Sequence, residues 1–240
     1  MPYAKRKFYK RKGTRKYTRT TRKRRPSTRY RRNAPISRIG VVPATSVVRM
    51  RYVDQVTINP AIDSMGVYQF RANSVFDPNY TGIGHQPLGH DQAAALYENY
   101  TVIGARITAK FAVQSTSDGS IPSAVGIYAD YDATAPGSLQ HLIEQGRCRY
   151  KTLIANGASG SAHATLTYNF GSKRFFGYKD LKDVQSQVGS PFGANPSRQA
   201  YFVLFVAPIE TNLNDIPPVS IMVTIDYIVR LTEPQDLSQS

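Results

Sequence analysis

The residues best suited to chemistry in this sequence are cations. They cluster as Lys5-Arg6-Lys7, Lys10-Arg11-Lys12 and Arg22-Lys23-Arg24-Arg25, with Arg15, Lys16, Arg19, Arg29, Arg31, Arg32 and Arg38 beside them. Seventeen of the first 38 residues are Lys or Arg. Charges at this density neutralise phosphates and release counterions. Tyr3, Phe8, Tyr9, Tyr17 and Tyr30 are interleaved with them, and aromatic rings give unpaired bases a surface to stack on. The combination suits single-stranded nucleic acid and leaves duplex binding open. A solubilising tail or a membrane-surface tail is the blander alternative. The same clusters also have the form of a nuclear import signal, read by an import receptor.

Beyond that arm, chemistry is sparse. His85 and His90 lie five apart in a Gly/Pro-rich loop. That is not a ligand spacing on a helix, so hydrogen-bonded loop residues are expected and no metal. Asp130 and Asp132 flank Tyr131. They could act as a carboxylate pair, but a turn or an interface salt bridge is the better expectation. Cys148 is the only cysteine. It excludes an intrachain disulfide and leaves too few thiols for a Cys-based zinc site. With no histidine near it in sequence, it is expected as a buried or half-buried structural thiol. No Walker loop, dinucleotide fingerprint, HExxH or GxSxG occurs, so neither a cofactor nor an enzyme is expected. Arg147, Arg149 and Lys151 alternate with Cys148, Tyr150 and Thr152. The cations form either an ordinary solvated face or a basic patch that continues the arm's work, with Lys173 and Arg174 extending it.

These residues must be positioned by a body of different composition. The net charge is +15, yet residues 1–53 hold 6 Lys and 13 Arg and no acid, while residues 54–240 hold 12 basic and 16 acidic side chains. A mildly acidic body with a cationic arm explains this better than a uniformly basic protein. Residues 1–45 are expected to be a disordered nucleic-acid-binding arm, since such a segment repels itself and has little to bury. Gly13, Pro26 and Pro35 further oppose a helix there. No apolar run of a secretory signal is seen in the first 30 residues, and the longest strongly apolar run, 200–207, is far short of a membrane-spanning helix.

Residues 46–240 alternate apolar and polar positions between Gly, Pro, Asn, Asp and Ser clusters, the pattern of strands joined by turns. Eight strands are expected, at 47–59, 66–75, 100–114, 123–131, 147–154, 162–170, 199–207 and 218–232. Short helices are expected at 91–97, capped by Asp91, and at 138–145. Residues 172–197 read as a long loop with a short helix near 179–186. The fold class is all-β: a single eight-stranded β-sandwich with short helices in its loops. Jelly-roll and immunoglobulin-like forms both fit, and length favours the jelly roll.

Three features resemble the capsid proteins of circular, Rep-encoding single-stranded DNA viruses, the circovirus-like group. They are the opening MPYAKRKFYKRK; the segment FRANSVFDPNYTGIGHQPLGHDQ (70–92) leading into LYENYTVIGARI (96–107); and the overall length and strand spacing. Residues 70–107 carry the likeness at motif level. The cysteine-based zinc motif of some plant single-stranded DNA virus coats is absent. The resemblance implies a jelly roll that assembles with itself as a small icosahedral shell of about 60 copies. It places the arm on a single-stranded DNA genome inside the virion, assembly in the host nucleus, and loops that build subunit contacts and meet an attachment receptor. Asn73, Asp77, Pro78, Gly82, Gly84, Pro87 and Gly89 would shape an assembly loop. At 17 cations per arm, such a shell supplies about a thousand charges, the order needed for a genome of roughly one to two thousand nucleotides. That count fits RNA as well as DNA. A small RNA virus coat and a cellular nucleic-acid-binding protein are the competing readings.

Overall fold

The structure, a computed structural model, describes residues 42–114, 122–134, 137–154, 162–209 and 216–236. Four alternating strands build the first sheet: β1 (Thr45–Ile58), β3 (Tyr97–Val113), β6 (His163–Gly171) and β9 (Val219–Pro234). The period-2 pattern of β9 buries Ile221, Val223, Ile225, Tyr227, Val229 and Leu231 and turns the intervening residues outward, as the pleat requires. The second sheet holds β2 (Gly66–Arg71), β4 (Ser123–Asp130), β5 (Arg149–Leu153) and β8 (Tyr201–Pro208). Here β4 and β8 are buried at nearly every position. A strand that reads as one apolar run is covered on both faces.

Strand order is β1-β9-β3-β6 in one sheet and β2-β8-β4-β5 in the other, all pairs antiparallel. The pairs are nested. β1 meets β9, β2 meets β8, β3 meets β6 and β4 meets β5, so the chain resembles one long hairpin wrapped into a sandwich. This is the jelly roll, and the topology excludes the immunoglobulin-like alternative. The core lies between the sheets, with Tyr52, Tyr100 and Tyr227 among its largest fully buried side chains. Their hydroxyls are satisfied. Tyr52 donates to Asp54, Tyr100 to the Ala194 carbonyl and Tyr227 to the Arg71 carbonyl.

Several expected boundaries move. A ninth strand, β7 (Gly189–Pro191), pairs with β3 inside the stretch read as loop. The second strand ends at Arg71 and not at 75, because Asn73 turns inward and its amide bridges the Arg198 carbonyl and the Ala200 N–H. The helix expected at 91–97 is α1 (His90–Ala94), and its cap position is Gly89, at φ 88°, not Asp91. Tyr97 leaves it to pair with Pro234 in the first sheet. The second helix, α2 (Leu139–Glu144), is capped as expected, the Ser138 hydroxyl accepting from the His141 N–H. The short helix expected near 179–186 is α4 (Gln185–Val188), displaced toward the C-terminus, and a further helix, α3 (Ser172–Phe176), lies earlier in the stretch read as loop.

Candidate nucleic-acid interface

The seventeen cations of the arm lie outside the described residues. Arg147, Arg149 and Lys151 lie within them, and the fifth strand starts later than expected. It begins at Arg149, so Arg147 and Cys148 belong to the approach from α2, turned by Gly146 at φ 65°. Arg149 pairs with Ile127 and Lys151 with Val125, both core residues. Directly paired residues share a sheet face. The two cations are therefore on the inward side of the second sheet, not on its outer face. They stay exposed because β5 is an edge strand facing the edge of β6. Arg149 spans the gap, its Nη1 donating to the Thr167 carbonyl at 3.0 Å with its guanidinium 6.0 Å from the Tyr168 ring centre.

At the end of that edge lies a cleft of about 580 Å³, lined by Arg147, Arg149 and Arg174 together with Tyr131, Tyr168 and Phe175. No acidic side chain is among its lining residues. Arg174 comes from α3, which starts where β6 stops; Ser172 secures the turn by donating to the Val102 carbonyl. Tyr131 donates to the Phe175 carbonyl at 2.6 Å, and their rings sit 4.5 Å apart. Three guanidiniums thus meet at one cleft, and the planar fork of each has a geometry that can pair with phosphate. Arg147, from the approach to β5, and Arg149, on the strand, both line the cleft, and Arg174 lines it with them. Lys151 and Lys173 do not line the cleft. Its aromatic residues carry no local signal in sequence, because Tyr131 follows β4 while Tyr168 and Phe175 come from the distant β6–α3 stretch.

Cys148 packs on the far side of the second sheet, against a cluster of Tyr128, Leu142, Val203 and Phe205. Burial pushes its thiol upward, away from the reactive range. Asp130 accepts from the Tyr131 N–H, the turn role expected of it.

The segment 72–89 crosses the free edge of β1. His85 bonds through Nδ1 to the Gln86 carbonyl and through Nε2 to the Val53 carbonyl, and Leu88 N–H donates to the Arg51 carbonyl. The Gln86 carbonyl, and less strongly that of Val53, favours the doubly protonated ring and raises the His85 pKa. Arg71 donates to the Asp77 carboxylate at 2.8 Å, and Pro78 and Pro87 offer carbonyls to the Arg71 and His90 N–H groups. Gly84 is required by closeness: a Cβ there would lie 2.6 Å from the Tyr52 hydroxyl. His90 is buried beside Phe192 with Nδ1 on Asp91. The pinned loop still displays Ile83 and Leu88, 84% and 89% exposed.

No family model and no curated protein matches the chain. Solved structures do. The chain is similar to the Macrobrachium rosenbergii nodavirus semi-empty VLP at 11% identity, with a TM-score of 0.43 over 83% of this chain and 100% of that one. It is similar to Desmodium yellow mottle tymovirus at 11% identity, with a TM-score of 0.40 over 84% and 95%. It is also similar to the BFDV capsid protein, solved as a decamer, at 11% identity, with a TM-score of 0.39 over 78% and 99%. At these values the jelly-roll assignment rests on this chain's own strand pairing.

Proposed function

We propose that the chain is a viral coat protein that assembles with copies of itself into a small icosahedral shell of about 60 subunits and packages single-stranded DNA through its basic arm. The observation that carries this reading is the joining of a 17-cation arm to a mildly acidic body that folds as a jelly roll. The arm's division of charge supports binding by the arm and tiling by the body. The resemblance of residues 70–107 to circovirus-like capsid proteins favours DNA, and nuclear assembly with it. The pinned loop with Ile83 and Leu88 is suited to subunit contact. The Arg147–Arg149–Arg174 cleft offers a second place for phosphate. The reading gives the chain no catalytic step and no cofactor.

Electron microscopy of the expressed full-length chain tests it. Closed particles of uniform size are expected, holding nuclease-protected nucleic acid. Replacing the arm cations by glutamine should leave the shells and empty them. Protein that stays monomeric under all assembly conditions would return the chain to the cellular nucleic-acid-binding class. Protected RNA in native particles would make it an RNA virus coat.

A further inference from the structure

The solvent side of the first sheet can be read from its register. Arg51, Asp226 and Arg106 stand in one row across β1, β9 and β3. Arg49 and Arg230 lie beyond that row on one side and Lys110 on the other. Arg49, Arg51, Arg106 and Lys110 are exposed and Arg230 is half-buried. Against these five cations the strands set Asp226 on this side, ion-paired to Arg51 at 2.6 Å, and Asp180, from the segment between α3 and α4, interacts electrostatically with Arg230. Two nitrogens of Arg230, Nε and Nη2, are buried without a hydrogen-bond partner among the described residues. Residues 54–240 carry more acid than base, so a face with a surplus of cations is not a sample of the body's average. Like charges on adjacent strands repel, and folding alone gains nothing from gathering them.

We propose that this sheet face binds the phosphate backbone of single-stranded nucleic acid. The inference rests on the nucleic-acid reading above and adds a second surface to the arm. Charge complementarity identifies the occupant, and chain connectivity supports it. The face begins on β1, the strand into which the arm runs, and Arg38 precedes Thr45 by only seven residues. Seven residues reach at most about 25 Å, so a strand held by the arm is kept at high effective concentration near the face. Arg49 and Arg51 are spaced at roughly 7 Å along their strand and Arg106 and Lys110 at roughly 13 Å, giving a broad band of charge and not a single socket.

The test uses the full-length chain and a mixed-sequence single-stranded DNA oligonucleotide, with affinity followed against salt. Each phosphate contact contributes about 0.7 to the slope of log K on log salt. The triple variant Arg49→Gln/Arg106→Gln/Lys110→Gln should therefore bind with a slope shallower by about 2, at unchanged circular dichroism. Asp226→Asn removes the acid paired with Arg51 and should tighten binding, which a merely damaged fold would not do. An unchanged slope in the triple variant, or weaker binding by Asp226→Asn, overturns the proposal. An unchanged slope with particles lost assigns the face to contact with another copy of the chain, and overturns it too. A wild-type chain that does not bind the oligonucleotide overturns the nucleic-acid reading together with the face. One that binds while the triple variant matches it overturns the face alone.

Discussion

The two sheets treat their outward sides in opposite ways. Outside the second sheet, Tyr128, Val203 and Phe205 are buried beneath Leu142 of α2, with Met65, Val67, Leu139 and Cys148 packed around them. Outside the first sheet, the same positions hold Arg49, Arg51, Arg106 and Lys110 in the open. One side is a small second core and the other a charged plane. The difference teaches that a jelly roll needs only the interior between its sheets. What lies outside each sheet is free for another purpose, and here one side is closed by the protein's own α2 while the other keeps its cations exposed.

The largest expected effect breaks the closed side. Phe205 is fully buried, and Phe205→Ala should cost about 3–5 kcal/mol of stability. Ile228, on the open side and 39% exposed, should change by less than about 0.5 kcal/mol when cut to alanine. Equilibrium denaturation of both variants checks this. Equal losses would mean that the open side is also packed in solution.

Alkaline pH separates the sides next. Burial, with lesser hydrogen-bond effects opposing it, pushes Tyr100 up to about 12, and burial with the nearby Asp130 charge raises Tyr128 further. A raised folded-state pKa leaves stability whole below the ordinary tyrosine value near 10 and removes it as pH climbs through the folded value. Tyr100 alone should therefore cost about 2–3 kcal/mol between pH 10 and pH 12. Tyr128 should add to that loss from the closed side, whereas no tyrosine occupies the described outward positions of the first sheet. The Tyr128 hydroxyl is buried without a partner among the described residues. Tyr128→Phe is thus expected to gain about 1 kcal/mol at neutral pH and to soften the alkaline transition. A loss of stability at neutral pH would show that the hydroxyl is bonded in solution.

The cover itself gives a smaller effect. Ser138 caps α2, and Ser138→Ala should cost about 1 kcal/mol. Because α2 carries Leu142 over Phe205, the same change should speed alkylation of Cys148. A cap loss that leaves the Cys148 rate unchanged would detach the helix from the cover.

Much of this contrast was legible in the residues. Strict alternation in 218–232 gave a strand with one wet face, and the unbroken run at 200–207 gave one with none. All eight expected strands occur, because each is long and patterned enough to declare its period. What stayed hidden depends on other segments. Gly89 displaced Asp91 as the cap because the chain enters α1 at positive φ, a backbone state and not a composition. Strand β7 has only three residues, too few for a period to appear. The inward side taken by Arg149 and Lys151 could not be read from β5 alone. It is set by their pairing with Ile127 and Val125, and cations can stand there only because the strand is at an edge. The cleft needed Arg174, delivered from another segment by the turn at Ser172. The arm, the loudest signal in the sequence, lies outside the described residues, so the cleft and the face are where its chemistry can be examined on the body.

The smallest expected effect is the sharpest test of what the open face is for. Arg51 and Asp226 meet at 2.6 Å, a short contact by any measure, but their side chains are 65% and 40% exposed. Water and salt screen such a pair, and holding two mobile side chains together costs entropy. Arg51→Ala should therefore leave the denaturation midpoint unchanged within replicate scatter, in low salt and in high. Its effect should fall instead on nucleic acid, as a modestly shallower salt slope in the oligonucleotide titration. Should the midpoint drop while the slope holds, the cations of the first sheet would be serving the fold, and its two outward sides would differ in appearance but not in purpose.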